Sequence, residues 1–154
     1  MDQPTNYFAT PAVNLIYAYD VALEKVLKES MPVRIKRHAQ YGKAVRAALS
    51  TYGMKPLASE DIAAPTLSCI LYPEGVDDAA FRKALADKGV IVAGSLAHLA
   101  GKAFRIGHMG NTTTEMLEEA IVKIGETLKE LGLEVNTEAA VERLKEELAI
   151  NINA

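Results

Sequence analysis

The sequence has no tryptophan and a single cysteine, Cys69, among 154 residues. An internal disulfide is therefore excluded, and a reducing cytoplasm is the expected setting. Any aromatic stacking has to use Tyr or Phe. An excess of either charge is also missing: 17 basic against 20 acidic residues leave a net charge of -3, with no sign of the basic face that nucleic-acid binders carry. No apolar run approaches the roughly 20 residues that cross a bilayer. Residues 1–10 lack the basic and apolar blocks of a signal peptide. The three histidines, His38, His98 and His108, do not have metal-ligand spacing, and no second cysteine or close acid pair joins them. Internal repeats, low-complexity tracts and Gly/Ser linkers are absent as well.

What is present fits one globular domain over 1–154, since 49% hydrophobic and 24% charged residues can furnish both a core and a solvated surface. Residues 1–10 read as extended. Thr10-Pro11 has the chemistry of a helix start, a capping hydroxyl followed by proline at the first helical position. Leu15, Ile16, Tyr19, Leu23, Val26 and Leu27 then recur at helical spacing, which predicts a helix over 11–30 ended or bent by Pro32. A second helix carries Val33 through Tyr52 and stops at Gly53. The period then changes. Strands are expected over 64–72, 90–93 and 102–108, with a short helix over 77–88 between the first two. Thr112 and Glu115 have capping-box spacing ahead of a long amphipathic helix that runs to Gly132. Asn136 or Thr137 caps a last helix, 137–150. The resulting fold class is α+β, a small mostly antiparallel sheet with helices on one side.

Gly101-Lys102-Ala103-Phe104-Arg105-Ile106-Gly107-His108-Met109-Gly110 resembles the strand near the end of class V aminotransferases, of the alanine–glyoxylate and serine–pyruvate type. Tyr7-Phe8-Ala9-Thr10-Pro11 with Asn14-Leu15-Ile16-Tyr17, and Arg34-Ile35-Lys36-Arg37-His38, resemble two further segments, in the family's order and at about its spacing. The likeness covers roughly residues 5–135. It implies the carboxy-terminal small domain of a fold-type-I homodimer that uses pyridoxal phosphate, with 11–30 as the linking helix and 137–150 as an extra helix. In the resembling enzymes a large domain precedes the Tyr-x-x-Thr segment and supplies the lysine that binds the cofactor. Almost nothing precedes Tyr7 here, so that lysine is expected to be missing and the chain alone is expected not to transaminate. An amino-terminal large domain, or a second chain bearing one, is the implied partner, and a small amino or 2-oxo acid the implied substrate.

Arg105 is the foremost candidate. A guanidinium can hold a carboxylate through two parallel charge-assisted bonds, which a lysine cannot, and the resemblance implies that role. Read without it, Arg105 could equally face solvent on an alternating strand or pair with an acid. Tyr7 and Thr10 form the second candidate: both can donate to an anion, and a helix beginning beside them adds free N–H groups and partial positive charge. The resemblance implies contact with the cofactor phosphate of a partner subunit, whereas the residues alone would let Thr10 cap and Tyr7 pack. Arg34, Arg37 and His38 read as a solvated or interface-pairing face, Cys69 as a small core residue, Gly94-Ser95 as a plain turn, and His108 as facing opposite to Arg105. The helix over 11–30 without a covering domain would expose an apolar stripe, which predicts a homo-oligomer. A stand-alone, non-catalytic binding or oligomerisation module with the same fold is the alternative.

Overall fold

The computed structural model describes residues 9–150. The chain divides into two units, Met1–Ile35 and Lys36–Ala154.

In the first unit, α1 spans Val13–Glu29. It does not begin at Pro11. Val13 N donates to the Pro11 carbonyl at 2.9 Å, and Leu15 N and Ile16 N share the Ala12 carbonyl, which makes Ala12 the cap residue. Thr10 lies two residues before the cap position, too early for its hydroxyl to reach the first turn, and no side chain caps the helix. The break before the next helix falls at Ser30, with φ 69° and ψ 146°. That conformation costs a non-glycine residue on the order of 1–3 kcal/mol, and it allows Pro32 to sit in the first turn of α2, Met31–Ser50, where a missing N–H is harmless.

The second unit is a four-stranded antiparallel sheet covered by helices on one face. The strands are β1 (Lys55–Pro56), β2 (Leu67–Leu71), β3 (Ala93–Gly94) and β4 (Ala103–Gly107), in the order β1-β2-β4-β3. The helices are the carboxy-terminal part of α2, then α3 (Asp78–Asp87), α4 (Thr114–Glu130) and α5 (Thr137–Ile150), with a 3₁₀ turn over Ala97–Leu99. The expected α+β class holds. The expected strand over 90–93 shrinks to two residues at an edge, and β1 had no sequence signal because Lys55-Pro56 is too short to show alternation.

Local chemistry explains the element ends. Asp77 Oδ1 accepts from Ala80 N at 2.8 Å and opens α3. Thr113, not Thr112, caps α4 by accepting from Met116 N at 3.3 Å, because the Thr112 hydroxyl is taken by the Met109 carbonyl. Of the two candidates for α5, Asn136 is the cap, accepting from Ala139 N at 3.0 Å. Once started, α4 buries Leu117, Ile121, Ile124 and Leu128 at three- and four-residue intervals. These meet Val45 and Leu49 of α2, Phe81 and Leu85 of α3, Leu144 of α5, and Ile70, Phe104 and Ile106 from one face of the sheet. Tyr72, Phe81 and Phe104 form an aromatic group with ring centres 5.2–5.3 Å apart. Full burial of rings such as Phe81 and Phe104 contributes about 1.5–3 kcal/mol each.

Two polar features are built into this core. Tyr52 donates its hydroxyl to the Ile121 carbonyl at 2.9 Å, and burial pushes the phenol up to about 12. Between α2 and the sheet, Arg46 is buried and forks onto Glu60 (2.9 and 2.6 Å) while also reaching the Ala64 carbonyl and Ser68 Oγ. Ser68 Oγ in turn lies 2.9 Å from His108 Nε2. His108 is fully buried, and its Nδ1 has no hydrogen-bond partner among the described residues. Burial first, then the Arg46 charge, push the imidazole down to about 4.

Two outcomes follow from this packing. A Cβ added at Gly125 would stand 2.6 Å from both Tyr52 Oη and Thr137 Oγ1. Gly125→Ala is therefore expected to cost about 1–3 kcal/mol in denaturant unfolding, despite its better helix propensity. A histidine whose folded pKa is depressed binds fewer protons in the folded state, so its stability contribution is complete above about 6.5 and is lost as pH falls toward about 4. Urea midpoints measured across that window should fall by an amount equivalent to roughly 3 kcal/mol, and His108→Gln should flatten the slope. A wild-type curve that is level from neutral pH down to about 4 would contradict the buried neutral ring.

Candidate functional site

The strand β4 places its side chains alternately. Phe104 and Ile106 enter the core, and Arg105 stands on the other face, directly across the ladder from Cys69 of β2 and Ala93 of β3. Leu67 and Leu71 flank Cys69 on that same face by the period-two rule. Cys69 is therefore not a core residue. It is half-buried beside the arginine, with Sγ 3.4 Å from Ser95 Oγ.

Arg105 is half-buried, and its Nε donates to the Gly94 carbonyl at 3.0 Å. Among the described residues it makes no other hydrogen bond or ion pair, so neither terminal nitrogen is engaged. This arrangement matters chemically. One bond at Nε fixes the plane of the guanidinium, and the two terminal amino groups remain as a fork that fits a carboxylate. Gly94-Ser95 is consequently more than a turn: Gly94 ends β3 and orients the cation, while Ser95 N continues the pairing by donating to the Ala103 carbonyl. The sequence signal for Gly94 was weak, since a Gly-Ser pair usually marks only a reversal of direction.

The segment after β4 is held from α2. Arg37 donates to the carbonyls of Gly110 (2.9 Å) and Thr112 (3.4 Å), and its guanidinium lies over the Tyr41 ring. His38 is buried, and its Nε2 accepts from Gly110 N at 3.0 Å. Arg34 pairs with Glu29 at 2.7 Å. The expected solvated or interface-pairing face thus serves mostly as a clamp on 108–112. Two arginines and a histidine at close spacing read as a surface, because the sequence cannot show which backbone groups a distant loop brings to Arg37 and His38.

Thr10 is exposed, and its hydroxyl makes no hydrogen bond among the described residues. Tyr7 lies outside the described residues. None of the lysines is buried, and Lys43, Lys83, Lys88, Lys123 and Lys145 pair with Glu147, Asp87, Glu130, Glu126 and Glu118 respectively. Among the described residues no helix is long and apolar enough to cross a membrane, and no group of three or more His, Cys, Asp or Glu is placed to hold a metal ion.

No family model matches the chain. It is 45% identical over 140 residues to an uncharacterized aminotransferase of Methanocaldococcus jannaschii, an alignment that takes in 90% of this chain and 36% of that protein. It is 36% identical over 141 residues to the serine–glyoxylate aminotransferase of Methylorubrum extorquens, covering 90% of this chain and 35% of the other. Among solved structures, the pyridoxamine–pyruvate aminotransferase from Mesorhizobium loti superimposes with a TM-score of 0.86 at 30% identity, over 96% of this chain and 38% of that one. The chain thus spans about a third of the length of the relatives it matches. The shared sequence and the shared α+β fold together identify the chain as a member of the class V aminotransferases, corresponding to their carboxy-terminal small domain.

Proposed function

We propose that this chain acts as the small domain of an aminotransferase that moves an amino group between a small amino acid and a 2-oxo acid, and that Arg105 clasps the carboxylate common to both. The observation that carries the reading is the state of that guanidinium: pinned through Nε to Gly94, half-buried, and with both terminal nitrogens unengaged among the described residues. A solvated surface arginine needs no such anchor, and the structural arginines Arg46 and Arg37 each engage a terminal nitrogen, which Arg105 does not among the described residues.

Thr10 fits a second role, as a hydroxyl donor to the phosphate of pyridoxal phosphate. Its oxygen is exposed and has no partner to give up, and the amino end of α1 follows closely, with backbone N–H groups and partial positive charge suited to an anion. Tyr7 would add a donor to the same phosphate. When bound, the cofactor supplies the electron sink and carries the amino group between the two acids. The chain's own residues would bind and orient. Arg105 holds one end of the substrate, Thr10 and Tyr7 steady a phosphate belonging to a partner subunit, and the exposed lysines leave covalent attachment to another domain. That domain, the large domain of the same family, is the proposed partner.

A homo-oligomer formed through α1 belongs to the same reading. No residue of α1 is buried, and Leu15 and Leu27 are 71% and 72% exposed. A stripe of this length and apolarity is an association surface.

Two measurements test these assignments. Titration of pyruvate into the chain, followed through the guanidinium resonances of Arg105, should give saturable shifts that vanish in Arg105→Gln. In an enzyme assembled with a lysine-bearing large domain, the same substitution should cost about 2–5 kcal/mol of substrate binding. An Arg105 signal indifferent to pyruvate would remove the carboxylate assignment. For the oligomer, sedimentation should give a species larger than the monomer, and Leu15→Lys with Leu23→Lys should dissociate it; a monomer at all concentrations would sink the α1 interface.

A further inference from the structure

The hydrogen bond that orients Arg105 ends on an unpromising support. Gly94 belongs to a two-residue strand at the edge of the sheet, and an edge strand is held on one side only. A guanidinium that must meet a carboxylate with its plane set cannot rely on a carbonyl free to wander. Something has to brace Gly94 from its unpaired surroundings.

A second arginine does so. Arg82 of α3 reaches Gly94 on the helix-covered side of the sheet. Its Nε, Cζ and one terminal nitrogen stand 3.3, 3.3 and 3.5 Å from the point that a Cβ on Gly94 would occupy. Three nearly equal distances mean that the guanidinium lies face-on against the glycine. Arg82 is itself fixed by a bidentate pair with Asp78, with Nε–Oδ1 at 3.0 Å and the terminal nitrogen to Oδ2 at 2.7 Å. Asp78 also accepts from the Tyr72 hydroxyl at 2.9 Å, and the Tyr72 ring packs on Phe81 and Phe104 of the core. A continuous path of contacts therefore runs from the core through Tyr72, Asp78, Arg82 and Gly94 to Arg105. A methyl group at position 94 would stand 3.3 Å from that guanidinium, so Arg82 would have to shift by a few tenths of an ångström.

We propose that Arg82 is a positioning residue for Arg105: lying flat against Gly94, it fixes the carbonyl that sets the orientation of the Arg105 fork. The inference takes its purpose from the carboxylate reading of Arg105, but its physical content, the immobility of one N–H, can be measured without any ligand.

The test follows exchange of the Arg105 Nε proton by NMR in the free chain, and pyruvate affinity in the same samples. Arg82→Met is expected to speed that exchange about tenfold and to weaken pyruvate binding about five- to tenfold, because the fork is no longer preorganised. Gly94→Ala, which displaces Arg82 without deleting it, should do the same and serves if Arg82→Met folds poorly. Lys83→Met, one residue along the same helix in an exposed pair with Asp87, should change neither. A role of Arg82 confined to α3 stability would lower the melting temperature and leave Arg105 Nε exchange within about twofold of the unmodified chain; that result overturns the proposal. Faster Nε exchange in both variants, together with no pyruvate binding even in the unmodified chain, would uphold the bracing role and overturn the carboxylate reading instead.

Discussion

β4 can send only every other side chain to the core, and its antiparallel pairing with β2 decides which. Phe104 and Ile106 are committed to the helices, so Arg105 must take the opposite face, level with Cys69. A one-residue slip of this ladder would drive a guanidinium into the hydrophobic cluster without a partner and expose two large apolar side chains. The register is therefore among the most strongly determined features of the fold, and the position of the one candidate anchor is settled by the same contacts that stabilise the sheet. The cation is where it is because its neighbours are apolar, so in the proposed reading recognition and folding would share one constraint.

The two faces of the sheet handle charge in opposite ways. On the helix side, several buried polar groups are drawn into a network: Arg46 with Glu60 and Ser68, Ser68 with His108, His38 with Gly110. The guanidinium of Arg46 is bonded at all three nitrogens, and its hydrogen bonds to Glu60 hold that carboxyl below the usual range. On the other face, Arg105 is bonded at one nitrogen. Arg46 is buried and saturated, whereas Arg105 is half-buried and keeps donors to spare among the described residues. A cation whose plane is already fixed and whose donors are to spare gains when an anion arrives, since little reordering remains. This contrast between two arginines of one domain supports a ligand for Arg105 better than its position alone.

Long periodic elements were legible in the sequence and short ones were not. The helices α2, α4 and α5 declared themselves through apolar residues at three- and four-residue spacing, and β4 through a bulky residue on either side of Arg105. β1 and β3 contain two residues each, below the length at which alternation carries information, and they exist because β2 and β4 offer unpaired backbone groups at the sheet edges. The cap errors have a similar origin. Thr10 and Thr112 have the right side chains at almost the right places, but the Pro11 carbonyl captures Val13 N, and the Met109 carbonyl captures the Thr112 hydroxyl. Those competitions are settled by distances that no spacing rule contains. Of the candidate site, Arg105 could be named from its strand and its family likeness, whereas Gly94 and Arg82 could not, since their importance depends on three segments meeting at one edge.

The edge strand also shows how a small domain can offer a precise cation without a rigid loop. Loops carry most binding residues because they are free of ladder constraints, but that freedom blurs orientation. In the proposed reading, the residue that would read the carboxylate is on a central strand, the residue that bonds to it is on an edge strand, and the residue proposed to steady the edge comes from a helix whose other face is core. Each step passes the geometric demand to an element with more buried contacts: from Gly94 to Arg82, to Asp78, to Tyr72, and finally to Phe81 and Phe104. A carboxylate has the same shape in every small amino and 2-oxo acid, so the group that reads it can be held rigidly. Under the proposed function, adaptation to different side chains would be left to surfaces outside this chain, a division consistent with relatives named for serine and glyoxylate or for pyridoxamine and pyruvate.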